Sequence, residues 1–135
     1  MEYRKSYRGL ALWLAAYTAA LFSPLLLPKG TDADLQMRLV FNLTSAGIVG
    51  LMWIILRTES VYWINGTTFE QARDAGSERR RAFAAAHLKV FARFAVGYAV
   101  FSAVTQLTGV HFAVDIAVFT IGLIVAAIST VRFKL

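Results

Sequence analysis

Asp115 is the residue of this chain best placed to do chemistry, because it is the sole carboxylate inside four long apolar runs. A charge at the centre of a bilayer costs at least ~2.5–3.5 kcal/mol on insertion scales, so such groups usually mark function. His111 stands four residues before it, the spacing at which two helical side chains meet. The turn at 109–111 is so short that the runs on either side must fold back on each other. Reflection about a midpoint between Val110 and His111 sets Gln106 at the depth of Asp115, and Asn42 reaches a similar depth in the second run. Asn42, Gln106, His111 and Asp115 therefore form a candidate polar site. As function, it would serve proton-linked transport or solute binding, with His111 and Asp115 as its titrating pair. As structure, it is a carboxylate favoured by a helix N-terminus, with a glutamine locking the hairpin. The peripheral depth favours the structural reading.

No other constellation carries a reaction. His87 and His111 are the only histidines, and their separation of 24 positions is roughly 36 Å along a helix, too far for one ion. Asp32 and Asp34 offer two carboxylates where calcium takes six to eight oxygens. A glycine-rich phosphate loop, a nucleophile elbow and a His-Glu-x-x-His motif are all missing, so neither a cofactor nor a metal is expected. With no cysteine, thiol and iron–sulfur chemistry are excluded. These gaps argue against an enzyme.

The elements that position Asp115 follow from composition. The chain of 135 residues is 58% apolar and 16% charged, where a soluble domain has about 45–50% and about 25%. The apolar residues gather at 9–27, 39–56, 94–110 and 112–131. Each run is near the ~20 residues that a helix needs to cross a ~30 Å hydrocarbon core. The first is longer than the 7 to 15 apolar residues of a signal-peptide core and is read as a retained span. The expected fold is an all-α integral membrane protein, an antiparallel bundle of four transmembrane helices forming one domain over 1–135. The segment 57–93 is its short structured cytoplasmic loop.

Orientation follows from lysine and arginine, which resist translocation. Twelve of the fourteen lie in the N-terminal segment, the 57–93 loop or the C-terminal tail. The other side holds Lys29 and Arg38, offset by Asp32 and Asp34. This positive-inside pattern puts both termini and the loop in the cytoplasm of a multi-pass protein of the cell membrane. It also disposes of nucleic acid: the formal charge of +6 faces the anionic inner leaflet. Sequons at Asn42 and Asn65 fall within a span and on the cytoplasmic side, so neither should be glycosylated.

The loop has the most local coding. Tyr62 and Trp63 fit an interfacial aromatic belt, Asn65-Gly66 is a turn signal, and Thr67-x-x-Glu70 matches a capping box. A two-turn helix over 68–74 should end at Gly76, and Ser77 should cap a second helix running into the third span. Arg79, Arg80 and Arg81 on that helix are candidate contacts for an acidic partner or lipid. The plainer reading of the triplet is a solvated stop to translocation, and it is favoured. Small residues recur at helical spacing, as at Ala11, Ala15 and Ala19, and suit close packing within one chain or between copies. The expected function is interaction, as an accessory subunit or homo-oligomer acting through the loop. The alternative is a small proton-linked transporter or channel around Asp115.

Overall fold

The computed structural model describes residues 3–135. Among these residues the fold is all-helical, with four helical spans long and apolar enough to cross a membrane, the first of them, Arg8–Leu26, only when its closing 3-10 turn is included. The main helices are α1 (Arg8–Phe22), α2 (Ala33–Thr58), α3 (Phe69–Thr108) and α4 (Phe112–Thr130). Single 3-10 turns follow α1 at Ser23–Leu26 and α2 at Val61–Trp63.

The side-chain distribution accords with helices of that length and hydropathy. The buried set includes Arg38, Ser45, Ser102, Thr105 and Asp115, while Leu12, Val100, Ile121 and Ile128 point outward and are more than half exposed. A core that mixes these polar groups with apolar residues such as Ile55 and Phe119, under an outer surface of large aliphatics, departs from the arrangement that water imposes and fits a hydrocarbon surround. On α4 the inward side runs Asp115, Phe119, Gly122, Ala126, and Ile116 and Ile124 face out.

The first turns of α2 lie beside the last turns of α3 and the start of α4, where Arg38 meets Gln106 and Asp115. The last turns of α2 lie beside the early part of α3, where Ile55 packs in one cluster with Phe83 and Ala84. Between these ends, Phe41 from α2 stacks on Phe119 from α4 at 4.4 Å, and Tyr98 meets Phe119 edge-on at 4.9 Å.

α1 is attached differently. It packs on α2 and buries none of its residues. Its small residues Ala11, Ala15 and Ala19 face outward, so this stripe is not the contact within the chain. Instead the Tyr17 ring fills the space over Gly47, where an added Cβ would lie 2.3 Å from Cε2. An aromatic ring in a glycine notch brings two backbones together as small residues would, with a larger contact area.

The loop is coded one residue later than Thr67-x-x-Glu70 suggests. Asn65-Gly66 turns with Gly66 at φ 88, and the Thr67 N–H donates back to the Ile64 carbonyl. That turn uses Thr67, so the capping box passes to Thr68 and Gln71. The Thr68 hydroxyl accepts from the Gln71 N–H at 3.1 Å, and the Gln71 side chain accepts from the Thr68 N–H at 2.9 Å. The short helix breaks at Gly76, whose φ of 77 and ψ of 164 are non-helical. Beyond it, residues 77–108 form about 48 Å of helix at ~1.5 Å per residue, against a ~30 Å hydrocarbon core. α3 is therefore long enough to cross and still project at the arginine-rich end.

Candidate functional site

Three helix ends converge on Asp115, and each is fixed by its own cap. Asp32 caps α2, its carboxylate accepting from the Asp34 and Leu35 N–H groups. This starts α2 six residues before the apolar run at 39–56 and sets Arg38 in its second turn. α3 ends at Gly109 in the left-handed region, φ 69, which turns the Val110 carbonyl toward Arg38. α4 starts at His111, whose Nδ1 accepts from the Ala113 N–H at 3.1 Å, and Asp34 of α2 accepts from the Phe112 N–H at 3.0 Å. Asp115 then faces inward, one turn along.

The centre is an ion pair. Arg38 Nη2 lies 3.0 Å from Asp115 Oδ2, with the two side chains 4% and 0% exposed. The other carboxylate oxygen, Oδ1, accepts from the Thr105 hydroxyl at 3.1 Å and the Tyr98 hydroxyl at 3.4 Å. Arg38 also donates to Gln106 Oε1 at 2.6 Å and to the Val110 carbonyl. Asn42 donates to Ser102 at 2.9 Å and to the Arg38 carbonyl at 2.8 Å. Among the described residues, Arg38 Nε is the one fully buried side-chain nitrogen or oxygen left without a partner.

Asn42, Gln106 and Asp115 thus gather around Arg38, and His111 does not join them. As the N-cap residue it folds over the start of α4 and stays exposed, so it makes no pair with Asp115. Arg38, Tyr98 and Thr105 are the members that sequence reasoning missed. Arg38 counted as a solvated charge of the outer connection, although it lies one helical turn before Asn42 on the same face. A carboxylate buried by its neighbours needs a cation, and that requirement was the available signal. Reflection about the hairpin gave depth but not direction, which is why Thr105 rather than Gln106 touches Asp115.

At the arginine-rich end a second acid organises the loop. Glu59 ends α2 in the left-handed region at φ 58. Its Oε2 accepts from Arg80 Nε at 2.9 Å, and its Oε1 accepts from the Ser77 hydroxyl at 2.6 Å. Arg81 approaches Oε1 at 3.3 Å. Ser77 is therefore spent on Glu59 and does not cap the following helix. Arg80 also donates to the Ala72 carbonyl and lies 4.0 Å over the Tyr3 ring. Of the arginine triplet, Arg80 is buried, Arg79 donates to the Leu135 carbonyl, and Arg79 and Arg81 remain exposed. Burial pushes the Glu59 carboxyl up, but Ser77 and then Arg80 outweigh it and hold the carboxyl below its ordinary value. Burial pushes the Tyr3 phenol up to about 12 against the opposing Arg80 charge, so it remains a donor, here to the Glu59 carbonyl at 2.7 Å.

Among the described residues no three His, Cys, Asp or Glu side chains gather to hold a metal. The Arg38–Asp115 centre is closed, with no carboxylate oxygen facing water. Comparison of the chain with protein-family models, curated proteins and solved structures found no match.

Removing one member of a buried ion pair strands the other, at about 3–5 kcal/mol. Arg38→Met and Asp115→Leu should each lower stability on that scale. The double variant should cost at least ~2 kcal/mol less than their sum. Unfolding in detergent measures this cycle, and strict additivity would show that the two residues act separately. For Glu59 the folded pKa lies below the ordinary 4.5. Its stabilising effect is complete above that value and is lost as pH falls through the lower folded value. Glu59→Gln should flatten the acid limb of the stability profile in melts across pH; an equally steep limb would contradict the assignment.

Proposed function

We propose that this chain is a non-enzymatic membrane protein, an antiparallel four-span bundle that works by interaction, as an accessory subunit or homo-oligomer. Its specific surface is the segment 67–81, held on the cytoplasmic side together with both termini. The observation that supports this most is the contrast between the two polar clusters. The Asp115 cluster is shut, whereas a proton-linked carrier needs a carboxylate that water can reach.

The 67–81 segment, by contrast, is rigidly built and outward-facing. Its short helix is fixed by the Thr68–Gln71 box and by the Arg80 bond to the Ala72 carbonyl. Ala72 on its inner face is fully buried, while Glu70, Arg73 and Asp74 are exposed. A presented helix that needs no ordering on contact loses less entropy when a partner binds. The charge pattern supports the sidedness, since exposed lysine and arginine concentrate at this end.

Replacing Glu70, Arg73 and Asp74 together by alanine changes only exposed side chains. It should abolish recovery of the chain's oligomer or companion subunit from solubilised native membranes while its melting point stays put. Undiminished recovery would refute the surface assigned here. The sidedness has its own test, because the chain has no cysteine of its own. Asp34→Cys should be labelled from outside intact cells and Asp74→Cys should not; the reverse pattern would invert the topology.

A further inference from the structure

The wide gap at the arginine-rich end lies between the 61–67 segment and the end of α4. We propose that it is a binding site for an anionic glycerophospholipid. The gap has a volume of about 750 Å³, within the ~300–1,000 Å³ of ligand pockets. One part of the lining is a face of α3, where Phe83, His87 and Phe91 recur every fourth residue, and Met52, Ala127 and Val131 add further apolar surface. Toward the polar end the lining changes to Asn65, Thr67, Gln71 and Lys134.

The axial order of these residues is what fits an amphiphile. Phe91 lies eight residues beyond Phe83 toward the span, about 12 Å at ~1.5 Å per residue, and Ala127 lies within α4 whereas Lys134 follows the helix end at Thr130. An acyl chain running along Phe91 and Ala127 would therefore lead to a headgroup among the polar residues. The His87 Nδ1 sits 2.9 Å from the Phe83 carbonyl, which can only accept, so Nδ1 carries a proton for that bond.

A second hollow of about 360 Å³ adjoins the first around Phe83, Phe133 and Lys134, and its lining adds Arg79 and Arg132. Neither lining contains an acidic side chain. Arg79 already reaches the Leu135 carbonyl at 3.2 Å, which draws the 132–135 tail onto α3 and brings three cations to one rim. A phosphate diester is the group that such a rim recognises, and apolar walls continuous with it select one carrying acyl chains. The lipid site draws on Thr67, Gln71 and Arg79 of the 67–81 segment but not on its exposed Glu70, Arg73 and Asp74, so the two proposals fail separately.

The full chain, extracted from mixed phosphatidylcholine and phosphatidylglycerol vesicles and examined by native mass spectrometry, should retain phosphatidylglycerol in preference. The triple variant Arg79→Gln, Arg132→Gln, Lys134→Gln alters exposed side chains and should lose that preference, by about fivefold for each cation removed. Ala127→Trp, which fills the apolar wall, should reduce retention of both lipids. Glycerol 3-phosphate, a headgroup without chains, should not displace the bound lipid. Equal retention of the two lipids by the unaltered chain would overturn the proposal. So would an unchanged preference in the triple variant, or displacement by glycerol 3-phosphate, which would make the rim a site for free phosphate.

Discussion

The Arg38–Asp115 ion pair is the constraint around which one end of the bundle is arranged. Taking two charges out of water costs several kcal/mol per ion even after relaxation, and their attraction recovers this only when the remaining donors and acceptors are met. Those requirements dictate where other residues must stand. Thr105 and Tyr98 satisfy Asp115 Oδ1, and Gln106 and the Val110 carbonyl satisfy Arg38. The partners come from the end of α3 and the bend beyond it, while the charges come from α2 and α4. The pair therefore fixes three helices in axial register as well as in contact. The unpartnered Arg38 Nε shows that the satisfaction is incomplete, and a buried donor without a partner costs about 1–3 kcal/mol.

A comparable device at the other end works under milder conditions. Glu59 and Arg80 are 19% and 9% exposed, so water shares in their solvation, and Coulomb attraction contributes less while desolvation costs less. What the two devices share is α2. Arg38, in its second turn, ties it to α4, and Glu59, just past its end, ties it to α3 and the loop. α1 has no such tie. It is held by Tyr17 over Gly47 and by the hydrogen bonds that Tyr62 and Trp63 make to the Ser6 backbone. A helix attached through aromatic contact and its own N-terminal segment is the one whose position the rest of the bundle constrains least.

The four helices were legible because a run of apolar residues near twenty long has few other fates. The polar cluster was legible in part. Asn42, Gln106 and Asp115 are polar residues at matching depth in adjacent runs, and depth is something a sequence records through rise per residue. Direction around the helix is recorded less well across a bend, so Thr105 and Tyr98 were overlooked and His111 was included. Arg38 was lost for another reason: it lies immediately before the apolar run at 39–56, and a topological count assigns such a residue to solvent. The Asp32 cap extends α2 outward by six residues, and that extension draws Arg38 into the bundle. The capping box slipped by one residue because the Asn65-Gly66 turn consumed Thr67, a competition between two local motifs that spacing alone does not resolve.

The internal pairing of Arg38 also bears on how the chain is charged. A basic residue near the Asp115 end would ordinarily weaken a charge asymmetry between the two ends. Paired with Asp115 it contributes nothing to the field outside, since the buried centre is neutral as a unit. Among the described residues, Lys29 is then the one lysine or arginine that the Asp115 end shows to solvent, and it stands near Asp32 and Asp34 in the sequence. At the opposite end Arg80 is likewise withdrawn by Glu59, but Arg57, Arg73, Arg79, Arg81, Arg132 and Lys134 remain exposed. Burying one arginine at each end thus removes half of the small exposed cationic set on one side and a minor part of the large set on the other. The fold thereby sharpens the asymmetry in exposed cations, while the net charge of each end is unchanged because each buried arginine takes a carboxylate with it. The ion pair that fastens the helices also leaves their cationic surface almost wholly at one end.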